Sequence, residues 1–344
     1  MSEAAPEYQV AVVGGGPAGL TTALYTTRLG HDTVLIDRGG GRAAMMQETH
    51  NVIGITEDIS GNELLATAKE QIEHYGADTV RGLVSDIDGA AGAFRLAVGE
   101  DTYTAEHVVL ATGFSDERPD PPLPRTGRGL HYCLHCDAYM FVDESVYVMG
   151  TSESAAQVAM IMLNFTDEVD LLLRGEAPEW SEETDTQLRA HPVDVVEAEI
   201  AGMNRGEDGW LESFEFEDGT VREYKGGFPM YGSNYNAELA ERLGLERNED
   251  GTVAVDDHGR TSVDGVSAVG DLTPGHKQIP TAMGEGARAG IGIHYDLREF
   301  PKSLAELDGE DVDRESVPAI SDDLRQAAAA FRGDVTPETA ADDD

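Results

Sequence analysis

The chain has 344 residues, long enough for two domains with buried cores, and sets 66 acidic against 24 basic residues for a formal net charge of −42. The acids are spread along the whole length and only four of the bases are lysines (Lys69, Lys225, Lys277 and Lys302), which speaks against nucleic-acid or anionic-membrane partners, since phosphate binding needs a basic surface. No apolar run approaches the roughly 20 residues that span a bilayer, and MSEAAPEYQV has no secretory-signal pattern, so a soluble, cytoplasmic protein is expected.

The first elements alternate between strand and helix. YQVAVV (8–13) is a short apolar run, GGGPAGL a glycine turn, TTALYTTRLG a helical pattern ending at Gly30, and TVLID (33–37) a second strand. This is a βαβ unit. AEHVVLATGF (105–114) reads as a buried strand and turn, and the proline-rich ERPDPPLPRTG (117–127) as an interdomain linker. A second βαβ unit begins at SVYVMG (145–150), passes through the turn GTSESAA into a helix ending near Met162, and closes with VDLLL (169–173). A second crossing between domains is expected near GGFPMYGSNYN (226–236). GVSAVGD (265–271) is another buried strand, followed by IPTAMGEGARAGIGIHYDL, a helix with small residues on one face. The tail from Pro301 is acidic and alanine-rich, and loose order is expected at its end. Two such units predict an α/β protein with two Rossmann-like, three-layer nucleotide-binding domains.

Gly14-x-Gly16-x-x-Gly19 follows a strand and opens a helix, with Asp37 at the end of the next strand. The glycines permit a tight turn and close approach of a pyrophosphate to the helix N-terminus, and the acid can accept from ribose hydroxyls. Ala111-Thr112-Gly113 and Gly270-Asp271 end two further strands, and both turns are expected at the same crevice. Asp271 can take a ribitol hydroxyl, and the helix N-terminus around Thr281 and Ala282 puts a positive dipole end near a cofactor ring.

The only two cysteines stand in HYCLHCDAYMF as Cys133-x-x-Cys136, followed by Asp137. The pattern by itself admits a metal site, a redox pair or an inert buried pair. His131, Cys133, His135 and Cys136 all carry ligand atoms, but they crowd into six residues, whereas structural zinc joins two separated ligand pairs. A redox dithiol near βαβ patterns is the better reading, and no metal is expected. The spacing lets the sulfurs bond, and the start of a helix favours a thiolate. Asp137 reads either as a general acid or as a first-turn acid favoured by the helix dipole. His135 is expected to face solvent.

From Tyr8 to Tyr295 the chain resembles the thioredoxin reductase family of small flavoprotein disulfide reductases. The resemblance rests on GGGPAGL, NVIGI (51–55), ATG (111–113), C-x-x-C-D (133–137), a second glycine turn (150–155), and GD followed by Gln278. It implies a discontinuous FAD-binding domain (1–116 and 237–300), an inserted NAD(P)H-type domain (117–236) carrying the cysteines, an acidic segment (301–344), and a homodimer. It implies FAD contacts from Gly14, Gly16, Pro17, Ala18, Gly19, Asp37, Arg38, Asn51, Ala111, Thr112, Gly113, Gly270, Asp271, Gln278, Thr281 and Ala282. Cys136 would face the flavin, Cys133 would attack the disulfide of a thioredoxin-like partner, and Asp137 would protonate the leaving thiolate. The composition resembles that of proteins from extreme halophiles.

The second glycine turn departs from the family. Gly150 and Ala155 are kept, but Thr151 and Ser152 replace glycines, and the basic cluster for the 2′-phosphate of NADPH is reduced to Arg174, followed by Glu176 and Glu179. Gly150, Ser152, Ala155 and Arg174 are the residues available to NADPH or NADH, with ferredoxin as an alternative donor. Two rivals remain open here: a dithiol oxidase, against which Asp137 argues, and a non-enzymatic flavin redox sensor.

Overall fold

Six of the seven strands of the larger sheet lie in the order Asp78–Arg81, Thr33–Asp37, Tyr8–Val13, Asp101–Leu110, Ala93–Val98, Val84–Ala90 in the computed structural model, which describes residues 7–298 and 320–333. The inner strands are parallel, with Val10 opposite Thr33 and His107. Val10 to Val13 are buried on both faces, as expected of a parallel strand written as an unbroken apolar run. The long strand Asp101–Leu110 has two partners on one edge. Its first half pairs antiparallel with Ala93–Val98, and its last three residues pair parallel with the seventh strand, Val266–Ala268. That arrangement brings the ends of Tyr8–Val13, Asp101–Leu110 and Val266–Ala268 side by side.

Helix Pro17–Arg28 packs against helix Ile279–Leu297. The small residues of the second helix explain how closely. A Cβ on Gly286 would stand 2.3 Å from the Ala18 carbonyl oxygen, and one on Gly290 would stand 2.7 Å from the Tyr25 Cβ. Any side chain at Gly286 would force the helices apart.

The described residues group into two compact units, one comprising 7–44, 62–114, 235–298 and 320–333, the other Met45–Gly61 and Ser115–Asn234. The second unit has its own parallel sheet, ordered Val193–Val196, Val169–Leu172, Val146–Met149, Gly226–Pro229, and a three-stranded antiparallel sheet from Ile200–Arg205, Leu211–Phe216 and Val221–Glu223. Its core gathers Phe141, Val148, Ala159, Met162, Leu171 and Phe228.

The structure changes two sequence expectations. The stretch 117–127 is no linker: it lies wholly inside the second unit, where Glu117 N–H donates to Gly232 and Arg125–Thr126 pairs with Gly129–Leu130. The second crossing falls within 226–236 as expected, after Gly226–Pro229 has formed an edge strand. A Cβ on Gly227 would meet the Tyr147 carbonyl at 2.0 Å, so glycine is there for close backbone approach, and the chain crosses at 234–235. Segment Met45–Gly61 groups with the second unit although it falls early in the chain. Helix Asp322–Arg332 is ordered within the acidic segment; the looseness expected at its very end lies outside the described residues.

Candidate active site

The first glycine turn divides its labour among three positions. Gly14 has φ +112°, and a Cβ there would lie 2.3 Å from the Ala111 carbonyl oxygen. A Cβ on Gly19 would lie 2.0 Å from the Gly14 carbonyl oxygen, so this glycine permits the helix to seat against the strand end. Gly16 is different: a Cβ there would meet nothing within 4 Å. Its side faces open space where a ligand could approach the backbone. Gly16 is also the N-cap of helix Pro17–Arg28, with no side-chain cap and no acid in the first turn. Pro17 supplies no N–H, and no side chain or first-turn acid of the protein caps the remaining amides, a setting that suits an anion.

Asp37 ends the next strand and is engaged by the turn itself. Its Oδ1 accepts from Gly15 N–H and its Oδ2 from Gly39 N–H, both at 3.0 Å. Each oxygen keeps a lone pair for a ribose hydroxyl. Arg38 beside it is exposed. The Ala111-Thr112-Gly113 turn is pinned by a residue that sequence reasoning missed. Asn236 donates its Nδ2 to the Thr112 carbonyl at 2.8 Å and its N–H to Gly113 at 3.0 Å, while Thr112 Oγ1 donates to the Asn236 carbonyl at 2.7 Å. No motif surrounds Asn236, and its partners lie 124 positions away, so no local signal could have found it.

Gly113 and Asp271 are neighbours: a Cβ on Gly113 would be 3.8 Å from that of Asp271. Asp271 also lies 4.0 Å from Arg42 Nη1, and Arg42 stacks over Phe114 with its guanidinium carbon 4.6 Å from the ring centre. Gly270 N–H donates to Glu285 at 2.8 Å; burial raises the pKa of this carboxyl. Lys277 donates to the Thr273 carbonyl, and burial lowers its pKa. Gln278 is the N-cap of helix Ile279–Leu297, again without a side-chain cap or a first-turn acid, with Thr281 partly exposed and Ala282 buried. Of the residues expected at this crevice, Asn51 alone belongs to the other unit, where it is exposed.

In the second unit Cys133 and Cys136 form a disulfide with a Cα separation of 5.2 Å. Cys133 is the N-cap of Leu134–Asp137, a single helical turn followed by the 3₁₀ turn Ala138–Phe141. The helix is too short for the dipole stabilisation expected of a long one. Asp137 is half-buried, with a histidine facing each carboxylate oxygen. His131 Nδ1 lies 2.9 Å from its Oδ2, and His50 Nδ1 lies 3.8 Å from its Oδ1. His50 in turn meets Glu48 through Nε2 at 3.1 Å. His135 is exposed, as expected.

The second glycine turn is built like the first but closed by its own side chains. Gly150 has φ +141° and takes the place of Gly14, its N–H donating to Leu172 as Gly14 donates to Ile36. Ser152 caps helix Glu153–Met162, accepting from Ala155 N–H at 3.3 Å. Glu153 stands in the first turn and accepts from Ser181 N–H at 2.9 Å and from the Thr184 hydroxyl, bonds that hold its carboxyl below the usual range. Glu179 N–H donates to the Thr151 carbonyl at 2.8 Å, tying the following loop across the turn. Arg174 does not project toward a nucleotide. It is 7% exposed, with Nε on Glu199 at 2.8 Å and Nη1 on the Asp120 carbonyl at 2.6 Å. The first turn leaves its helix N-terminus without a side-chain cap, whereas the second is capped by Ser152 and carries Glu153 in its first turn.

The pyridine nucleotide-disulphide oxidoreductase family matches residues 8–286. Among characterised relatives, the thioredoxin reductase of Peptoclostridium litorale is 31% identical over 310 residues, 85% of this chain and 98% of the relative. That of Bacillus subtilis is 29% identical over 314 residues, 87% of this chain and 98% of the relative. The crystal structure of thioredoxin reductase from Streptococcus pyogenes superposes with a TM-score of 0.77 at 28% identity, covering 85% of this chain and 99% of that one. With a bonded C-x-x-C, a pyrophosphate-shaped first turn and these relatives, the chain belongs to the thioredoxin reductase group of the pyridine nucleotide-disulphide oxidoreductases and is a flavoprotein disulfide oxidoreductase.

Proposed function

We propose that the protein reduces the disulfide of a thioredoxin-like partner through Cys133 and Cys136, with FAD as cofactor and with an electron donor other than NADPH. The observation that carries the reading is the Cys133–Cys136 disulfide followed directly by a carboxyl group, Asp137, hydrogen-bonded to His131 on Oδ2 with His50 3.8 Å from Oδ1. The turn Gly14–Gly19 would cradle the FAD pyrophosphate, Asp37 a ribose and Asp271 the ribitol chain, and Gln278, Thr281 and Ala282 would line the ring. FAD, when bound, supplies the two-electron store. In the reduced protein, Cys133 acts as the attacking thiolate, Cys136 resolves the mixed disulfide, and Asp137 protonates the departing sulfur.

The self-capped second turn and the buried Arg174 support the donor part of the proposal. A one-electron carrier such as ferredoxin needs no nucleotide turn, and concentrated salt would screen the repulsion between two acidic proteins. The working form is taken to be a cytoplasmic homodimer in concentrated salt.

The test bypasses the donor. The protein is reduced with dithionite in molar potassium chloride, mixed with thioredoxin disulfide, and the new thiols are counted. Cys136→Ser should accumulate a mixed disulfide through Cys133, seen by mass, while Cys133→Ser should not. Absence of thiol formation by the reduced wild-type protein would refute the reading.

A further inference from the structure

We propose that His131 is the positioning residue of Asp137, fixing the carboxyl so that its acidic proton sits on Oδ1, and that His50 with Glu48 is the route by which that proton is replaced. This rests on the reading of Asp137 as the acid that serves the dithiol.

His131 is 5% exposed and sits in an aromatic box. The Phe141 ring lies 5.3 Å away edge-on, with Trp210 at 6.1 Å and Phe228 at 6.3 Å. Its backbone N–H donates to Gly227 at 2.9 Å, so the residue is tied to the edge strand of the sheet. One ring nitrogen faces Asp137 Oδ2 at 2.9 Å, and the other, Nε2, is buried with no hydrogen-bond partner. A buried N–H without an acceptor is rarer and costlier than a buried lone pair. The box therefore selects the neutral tautomer with the proton on Nδ1, which donates to Oδ2. A charged imidazolium or the opposite tautomer would bury an orphan N–H among the rings.

The consequence falls on Asp137. With Oδ2 occupied as an acceptor, the proton of its acid form must sit on Oδ1. That oxygen faces His50 Nδ1 at 3.8 Å, a spacing that a bridging water or a small ring shift closes. His50 stacks edge-on against Tyr139 at 5.6 Å and reaches the exposed Glu48 through its other nitrogen. The charged and titratable groups that face Asp137 among the described residues are His131 from the segment before the cysteines, His50, itself bonded to Glu48, from segment Met45–Gly61, and Tyr139 from the following 3₁₀ turn, which also feels Glu57.

The step balances as follows. The Cys133 thiolate forms a bond to one sulfur of the partner disulfide, and the partner S–S bond breaks. The departing sulfur leaves with the electron pair and takes the proton from Asp137 Oδ1. The resulting carboxylate, still held by His131, regains a proton from solvent through His50 and Glu48.

Three variants test this in the dithionite-reduced transfer assay. His131→Phe fills the box and removes the donor, and should lower kcat roughly tenfold to a hundredfold with KM for thioredoxin nearly unchanged. His131→Asn keeps an N–H near the Nδ1 position and should recover most of that loss. His50→Gln should leave the first turnover intact and slow the steady state, most at high pH, where protons are scarce. In parallel, ¹⁵N imidazole shifts of folded wild-type protein should report the neutral His131 ring protonated on Nδ1 and bare on Nε2. A proton on Nε2, or a fully active His131→Phe variant, would overturn the inference while leaving disulfide reduction intact. A wild-type protein that reduces no thioredoxin would instead refute the reading beneath it.

Discussion

NADPH should bind this protein poorly and reduce its flavin slowly. A nucleotide bound at the second turn would need its pyrophosphate at the N-terminus of Glu153–Met162 and its 2′-phosphate beside the strand end at Leu172. At the first place it meets Ser152, already capping the helix, and the Glu153 carboxylate held by Ser181 and Thr184. At the second, the available cation is Arg174, and freeing it means breaking its bonds to Glu199 and the Asp120 carbonyl and leaving it buried without them. Charge-assisted hydrogen bonds contribute roughly 1.5–3 kcal/mol each, so losing two weakens binding by about 3–6 kcal/mol, or about 10² to 10⁴ in Kd. NADH escapes the second loss but not the first. The assay is calorimetric titration of the oxidised holoprotein in molar potassium chloride with each nucleotide, followed by anaerobic mixing to observe flavin bleaching. NADPH binding should be undetectable at micromolar concentration, and reduced ferredoxin should bleach the flavin faster than either nucleotide. Micromolar NADPH affinity with bleaching at catalytic rate would refute the argument, for it would mean the loop tied through Glu179 and Thr151 opens at little cost.

Other consequences follow from single positions. Gly16→Ala should fold with nearly unchanged Tm, because its Cβ meets nothing within 4 Å, yet purify with less flavin per protein. Gly19→Ala should lower stability by about 1–3 kcal/mol or more through the clash with the Gly14 carbonyl, read as an earlier denaturant midpoint. Burial pulls the pKa of His107, bonded to Ser267 at 3.0 Å, from 6.5 down to about 4. Above pH 6.5 both folded and unfolded forms are neutral there. As pH falls from 6.5 to 4 only the unfolded chain takes up the proton, so this group withdraws about 3 kcal/mol of stability across that window. His107→Gln should flatten that part of the stability–pH curve, and an unchanged slope would count against it. Finally, with a charge of −42 the Tm should rise from dilute buffer to molar potassium chloride as the screening length shrinks to about 3 Å. A flat response would dismiss the idea of a salt-adapted surface.

What could be read from the chain alone was whatever is written in neighbouring residues. The run Val10 to Val13 announces a strand buried on both faces, the spacing of Gly14, Gly16 and Gly19 announces a turn that side chains would block, and Asp37 stands at the end of the next strand because a βαβ unit of this length must put it there. The two cysteines are three positions apart, within bonding reach in a single helical turn. The departure of the second turn from the family's pattern was also legible, in Thr151, Ser152, Glu176 and Glu179.

Only the tertiary structure could decide what each of these groups is free to do. Gly226 and Gly227 carried no element assignment in the sequence, and they form a strand whose Gly227 leaves room for the Tyr147 carbonyl. Arg174 looked available and is spent on Glu199 and Asp120, partners 25 and 54 positions distant. Asn236 carries no signal until it closes on Thr112 and Gly113. His131 was one more residue with ligand atoms until the aromatic box around it left one nitrogen for Asp137. Glycine conformation, strand periodicity and short loops are local energies, and a sequence displays them directly. Hydrogen-bond partners and burial depend on which distant segments the fold brings together, and those contacts, set by packing, determine here which carboxylate holds a proton and which cation is left for a ligand.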